Sequence, residues 1–353
     1  MSSSTGGSRP RVCLVYGGRS SEHEVSCLTA REVLSVIDTS RYDVHAVGIT
    51  RTGRWVSAEP RWSDLAAGQL PEVDESAPTV PWESVTDADV VFPLLHGPWG
   101  EDGTLQGLLD LADVRYVGAG VLASAVGMDK AFAKVVFAAA GLPQVPYVPI
   151  ESGAWPSDRP RIEARVRALG LPVFVKPSRA GSSSGVVRVD AWDDLAAAID
   201  HAREFDPKVV VEAGKIGARE VECGVVQGVD GAPRASVVGE VRVQHGSHAF
   251  YDFEAKYVDG TSANVVPADL SRTVSDRIRA YALQAFQAIG GEGLARVDFF
   301  LDGEELVINE INTMPGFTTS SMFPLLWEAS GVPYAELVDQ LLQQALSRPT
   351  GLR

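Results

Sequence analysis

Cysteine is scarce in this chain. Cys13, Cys27 and Cys223 are the only three among 353 residues, and no CxxC spacing links them. Three scattered thiols build neither a disulfide scaffold nor a zinc site; they read as reduced, half-buried thiols of a cytoplasmic protein. Basic excess is missing as well. Lys and Arg number 31 against 46 Asp and Glu, a formal charge of −15. That argues against a nucleic-acid surface, although local lysines can still bind an anionic ligand. No apolar run approaches the ~18 residues of a membrane span. The opening MSSSTGGSRPR lacks the apolar stretch of a signal peptide, and residues 1–10 read as a disordered tail with almost nothing to bury. Two nucleotide signatures are also absent. The chain contains no GxxxxGK[ST] and no GxGxxG after a strand, so neither a P-loop NTPase nor a dinucleotide-binding domain is supported.

What remains is ordinary globular composition, 45% hydrophobic and 22% charged, in a chain long enough for two or three domains. Apolar runs at Val12–Tyr16, Tyr42–Ile49 and Asp89–Leu95 alternate with helical stretches at Ser20–Asp38 and Thr104–Ala112. This predicts an α/β fold with a doubly wound parallel sheet over the first ~120 residues. Ligands of such sheets bind at the carboxyl ends of strands, where Gly17-Gly18 and the His96–Gly103 loop fall. Residues 57–84 read as a surface excursion. Next comes an αββαβ stretch: a helix at Met128–Ala140, strands at Pro172–Lys176 and Gly185–Val189, a helix at Trp192–Glu204 and a strand at Lys208–Glu212. Beyond Glu220 antiparallel strands are expected, then a long polar segment of the kind that forms lids. A helix at Ser271–Ile289, a hairpin around Asp302-Gly303 and two short helices follow.

Five segments carry candidate chemistry. Arg296 and Asp298 share one face of their strand, Glu310 and Asn312 share one face of theirs, and the groups converge if the strands pair with those faces together. Together they offer two carboxylates and an amide oxygen, donors that suit Mg²⁺; a solvated polar strand face is the alternative. A two-residue turn at Asp302-Gly303 would put Asp298 opposite Val307 and Glu310 on the other face, so the site requires an odd-length turn or a bulge. The loop Lys176–Gly185 offers hydroxyls and backbone N–H groups to phosphate, or is simply a flexible hairpin with a snorkelling lysine. Glu212 and Glu220 suit adenine and ribose, or are surface glutamates. Ser20 or Ser21, more plainly Ser21, can cap the first helix with Glu24, which leaves Glu22 facing the cleft. His96 is a lone histidine whose default role is structural. Pro315–Ser321 precedes a helix, a suitable seat for a carboxylate.

Seven segments, GGRSSEHEVS, LHGPWGEDG, GMDK, VKPSRAGSSSG, YDFEAKY, ARVDFF and NEINTMPGFTTSS, stand in one order between about Arg11 and Leu346. Together they resemble the D-alanine–D-alanine ligase family of the ATP-grasp superfamily. The resemblance implies three domains, 11–127, 128–219 and 220–353, with ATP between the last two, both α+β, and a lid at about 244–265. It implies that Lys130, Lys176, Ser183 and Lys256 bind the phosphates of ATP, with Glu212 at the adenine and Glu220 at the ribose. Asp298, Glu310 and Asn312 would hold two Mg²⁺, Mn²⁺ being an alternative. Glu22 would take the ammonium of the first D-alanine and join Ser182 and Tyr257 in closing the lid. Arg296 and the Gly316 N–H would stabilise the oxyanion. His96 would lie near the first substrate, and Ser321 with Met322 at the second. A cytoplasmic homodimer acting on small molecules, without nucleic acid or membrane, completes the expectation. An altered acceptor, D-lactate or D-serine, is the alternative.

Overall fold

A computed structural model describes residues 8–57, 70–243 and 262–351. The expected lid, with Lys256 and Tyr257, and part of the 57–84 excursion lie outside these residues.

The first unit comprises β1 (Arg11–Gly17), α1 (His23–Val36), β2 (Asp43–Ile49), β3 (Trp55–Val56), α2 (Glu83–Thr86), β4 (Val90–Pro93), α3 (Thr104–Leu111) and α4 (Val121–Met128). Its sheet runs β3-β2-β1-β4, with β1 parallel to both neighbours and β3 an antiparallel edge. Side chains of β1 alternate between two cores, as a strand's period of two dictates. Val12, Leu14 and Tyr16 pack with Cys27, Ala30 and Val33 of α1. Cys13 and Val15 pack with Leu105 and Leu109 of α3. Both faces are therefore covered, as a doubly wound sheet requires.

α5 (Lys130–Ala139) leads into β5 (Tyr147–Ile150), α6 (Ala154–Ser157), α7 (Arg159–Arg167), β6 (Val173–Pro177), β7 (Val187–Val189), α8 (Leu195–Phe205) and β8 (Val209–Ala213). This second sheet is antiparallel, ordered β5-β8-β6-β7. The third unit holds β9 (Arg219–Gln227), β10 (Pro233–Val243), β11 (Ser262–Val265), α9 (Arg272–Ala288), β12 (Leu294–Asp302), β13 (Glu305–Asn312), α10 (Met322–Ala329) and α11 (Tyr334–Ser347). Its antiparallel sheet runs β11-β10-β9-β12-β13.

Packing crosses the expected boundaries at several places, two of them by helices. Ala133 and Phe137 of α5 pack with Ile278 and Phe286 of α9 and with Val297 of β12, in the third unit's core. Leu337, Val338, Leu341, Leu342 and Ala345 of α11 return to the core of the first sheet. The second unit's own core begins only at Val148.

Helix α1 begins at His23, later than expected. Glu22 occupies its N-cap without a side-chain cap bond. Ser21 is exposed and caps nothing; Ser20 is the buried serine, donating to the His96 carbonyl at 2.6 Å and accepting from Glu22 N at 3.2 Å. The serine thus ties two loops together in place of capping the helix.

Candidate active site

The β12–β13 hairpin sets the floor of the site. Asp302 pairs with Glu305 across a two-residue turn, Gly303-Glu304, and the ladder runs regularly to Phe299 opposite Ile308. There the register shifts, Asn309 is the extra residue, and Asp298 pairs with Glu310. The break that the site requires is therefore a β-bulge at Asn309 rather than a longer turn. Its effect is one of parity. Leu306 and Ile308 are buried in the core, and beyond the bulge so is Ile311. Without the extra residue Glu310 would oppose Val297 in that core, where an unpaired charge is costly. With it, Asn309, Glu310 and Asn312 all border one cavity.

Three carboxylates line up on one rung of the sheet, Glu222 of β9, Asp298 of β12 and Glu310 of β13. Like charges side by side on a sheet repel, and cations compensate. Arg296 donates from Nε and Nη2 to the two oxygens of Asp298 at 2.7 Å each, and its Nε lies 2.7 Å from Glu222 Oε2. Burial disfavours the guanidinium's charge, but Asp298 and Glu222 raise its pKa well above the usual value. Asn312 Nδ2 donates to Asp298 Oδ2 at 3.0 Å, and Lys130 Nζ stands 3.3 Å from Glu310 Oε2.

Residues Ala180–Ser183 of the Lys176–Gly185 loop border the same cavity. Ser182 and Ser183 adopt left-handed φ of 49° and 57°, uncommon for residues with a Cβ. The hydroxyl of Ser182 donates to Glu22 Oε1. Glu22 is squeezed between two glycines. A Cβ on Gly97 would lie 2.8 Å from its Oε2, and one on Gly181 2.7 Å, so a side chain at either position would push the Glu22 carboxylate aside; Gly97 also has a φ of +75°. Lys130 Nζ donates to the Ala180 carbonyl at 2.8 Å. Beneath the loop, Asp129 caps α5, accepting from Ala131 N and Phe132 N, and also receives Ser178 Oγ at 2.8 Å and Lys208 Nζ at 3.0 Å.

Glu212 is no surface glutamate. Its carboxylate is 3% exposed, with Lys134 Nζ 2.9 Å from Oε1 and Lys176 Nζ 2.7 Å from Oε2. Burial pushes its pKa up, yet the two lysines hold it at about 2. Each oxygen of this carboxylate thus carries one lysine, and Glu212 still borders the cavity. The neighbouring Ala213 and residues Lys215–Ala218 also line the cavity.

His96 is buried at the opposite corner. Its Nε2 lies 3.1 Å from Thr29 Oγ1, and its Nδ1 3.2 Å from the Met314 carbonyl and 3.7 Å from Glu101 Oε1. Burial lowers the imidazole's pKa, but Glu101 and Glu22 raise it on balance; burial raises the carboxyl of Glu101.

One cavity of about 880 Å³ is bordered by Glu22, His96, Lys130, Lys176, Ser182, Ser183, Glu212, Glu220, Arg296, Asp298, Glu310, Asn312 and Gly316, at the upper end of the range for small-molecule sites. Ser321 and Met322 do not line it. Ser321 Oγ bonds within its own turn, to Thr318 N and Thr318 Oγ1. Met322 is a packing residue. It is buried with Val241 and Leu326, its sulfur 2.5 Å from where a Cβ of Gly239 would stand. The sequence reading missed Glu101, Lys134, Glu222 and Asn309. Three of these had a signal: Lys134 lies one helical turn beyond Lys130, Glu222 is two strand positions from Glu220, and Asn309 adjoins Glu310.

Residues 11–119 match the family model described as D-ala D-ala ligase N-terminus, and residues 136–343 the one described as D-ala D-ala ligase C-terminus. Proteins named D-alanine–D-alanine ligase are similar over nearly the whole chain. That of Arthrobacter sp. (strain FB24) is 54% identical, covering 99% of this chain and 97% of its own length. That of Mycolicibacterium smegmatis is 51% identical, covering 98% of each. Among solved structures, the VanG D-Ala:D-Ser ligase of Enterococcus faecalis aligns with a TM-score of 0.79 at 32% identity, over 95% of this chain and 98% of that one. The D-alanine–D-alanine ligase of Coxiella burnetii aligns at 0.75 and 31%, over 96% and 94%. With the ATP-grasp architecture in place and both family models matched, this chain belongs to the D-alanine–D-alanine ligase family of ATP-dependent ligases.

Proposed function

We propose that the protein joins two D-alanine molecules into D-alanyl-D-alanine, with ATP converted to ADP and phosphate, in the cytoplasm and as a homodimer, for peptidoglycan precursor synthesis. The observation that carries the reading is the rung of Asp298 and Glu310, with Asn312 beside it, in one cavity with Lys130, Lys176 and the Ser182-Ser183 loop. Two carboxylates and an amide are too few for an all-protein cage, and they fit ions that share their ligands with phosphate oxygens. Asp298, Glu310 and Asn312 would hold two Mg²⁺, or Mn²⁺, which when bound supply charge neutralisation to the triphosphate.

A carboxylate is a poor electrophile. In the first step an oxygen of the first D-alanine's carboxylate attacks the γ-phosphorus, the bond to ADP breaks, and an acyl phosphate forms. In the second the amine of the other D-alanine forms a C–N bond to that carbonyl, and phosphate leaves with the electrons of the C–O bond. Lys130 and Lys176 bind the phosphates. Glu22, held at Oε1 by the Ser182 hydroxyl, binds the first ammonium. Arg296 turns from Asp298 toward the developing oxyanion, together with the Gly316 N–H. Each such donor typically contributes about 10²–10³ in rate. Lys256 and Tyr257 complete the phosphate site and the lid. Acceptors other than D-alanine are not favoured, because relatives at 51–54% identity are named for the dipeptide. Incubation with ATP, Mg²⁺ and D-alanine against L-alanine, D-lactate and D-serine, with products identified by mass, tests the reading. Almost pure D-alanyl-D-alanine with one phosphate per bond is expected; a depsipeptide as main product at neutral pH overturns it.

A further inference from the structure

Lys134 does not border the cavity, yet its ammonium pairs with Glu212, which does. The side chain is 1% exposed and sits one turn beyond Lys130 on α5. Nothing about packing calls for a lysine there, since an isolated buried ammonium is strongly disfavoured. Its partners are Glu212 Oε1 at 2.9 Å and the ring of Tyr147, whose centroid is 5.4 Å away. The other oxygen of Glu212 belongs to Lys176 at 2.7 Å, and Lys176 Nζ also donates to Asn309 Oδ1 at 3.3 Å. Glu310 and Glu220 stand farther off and act on Lys176 through space.

The charge count of this trio is the telling quantity. Two ammoniums share one carboxylate, so the trio itself carries a net charge of +1 beside the cavity, with Glu310 and Glu220 acting on it from farther off. Remove Lys134 and the same carboxylate neutralises Lys176 completely. Because Lys134 does not border the cavity, its influence passes through Glu212. We propose that Lys134 is a positioning residue for nucleotide phosphate: by occupying half of Glu212 it keeps the charge of Lys176 available to the ligand. This rests on the ligase reading for the identity of the ligand, but the charge relation itself does not.

Isothermal titration of ADP, together with initial rates against ATP and against D-alanine, tests it in wild type, Lys134→Met and Lys134→Met/Glu212→Gln. The single variant leaves a neutral Glu212–Lys176 pair and should bind ADP about tenfold more weakly. Its KM for ATP should rise in parallel, and its KM for D-alanine should stay within twofold. The double variant restores one net positive charge and should recover most of the ADP affinity. A purely structural lysine predicts the reverse, a double variant at least as impaired as the single one. Unchanged ADP binding in Lys134→Met overturns the proposal, and so does absent recovery in the double variant. If Lys134→Met does not fold, Lys134→Gln carries the same comparison. Should wild type bind ADP but form no dipeptide, the ligase reading fails while the charge relation is still decided by the binding data.

Discussion

Replacing Arg296 by Met removes the cation that binds two of the three aligned carboxylates, Asp298 and Glu222. In the wild type the guanidinium makes two 2.7 Å bonds to Asp298 and a 2.7 Å contact with Glu222, all three side chains being largely buried. Breaking a buried pair by deleting one partner destabilises by about 3–5 kcal/mol, because the remaining charge is stranded. Met fills much of the volume, so the loss is chiefly electrostatic. At ~1–2 °C per kcal/mol for a chain of 353 residues, the lower bound corresponds to a midpoint roughly 3–6 °C below wild type. A divalent ion on Asp298 and Glu310 should recover part of this. Saturation at a hundredfold over Kd stabilises the folded state by about 2.7 kcal/mol. In the wild type the ion must first displace Arg296 from Asp298, so the gain should be smaller. The assay is thermal or urea unfolding of both proteins in EDTA and in MgCl₂. A variant that unfolds at the wild-type midpoint in EDTA refutes the ledger of charges. An equal Mg²⁺ gain in both proteins refutes the competition between Arg296 and metal for Asp298.

Glu310→Gln, which keeps shape but removes a metal ligand, should abolish phosphate release while circular dichroism stays unchanged; near-normal turnover contradicts the metal assignment. Glu212 titrates near 2 in the fold against an ordinary 4.5, a difference worth about 3 kcal/mol. Because the folded value is the lower one, this stabilisation is complete above about pH 4.5 and is lost as pH falls toward 2, so the stability gap between wild type and Glu212→Gln should narrow over that window, and a constant gap counts against it. Tyr257→Phe should gain measurable D-alanyl-D-lactate synthesis, most clearly at lower pH where the second amine is harder to deprotonate; identical dipeptide to depsipeptide ratios in both proteins across pH remove Tyr257 as the selector.

Much of this site was legible because its strands advertise themselves. Val173–Lys176, Val209–Glu212 and Ala295–Leu301 are β-branched and aromatic runs, each interrupted by or ending in a charge with no place in a core. The bulge was legible as a requirement and not as a location, since parity shows that a residue must be extra without showing where. Tyr147–Arg167 went unassigned because its prolines and arginines blur both periods, although it supplies β5, α6 and α7. Lys134 had only its spacing from Lys130 as a signal, because an amphipathic helix makes any surface-type lysine unremarkable until the opposing strand is known. Met322 was misread because it adjoins Ser321 in sequence. What fixes its direction is Gly239, a residue 83 positions away whose missing side chain makes room for the sulfur. The docking of α11 on the first sheet has no local signature at all.

That docking imposes an order on biosynthesis. Leu14 emerges from the ribosome roughly 15–65 s before Leu341 at about 5–20 residues per second. For that interval one apolar face of the first sheet has α1 on it but not Leu337, Leu341 and Leu342, with which it shares a core. The nascent chain therefore carries a partly open hydrophobic surface through nearly its whole synthesis, the state in which chaperones are engaged and aggregation competes. A message truncated before the codon for Tyr334 would leave that surface open permanently, even though every residue bordering the cavity would already have been made. The sheet that starts the chain is the last part of it to be finished.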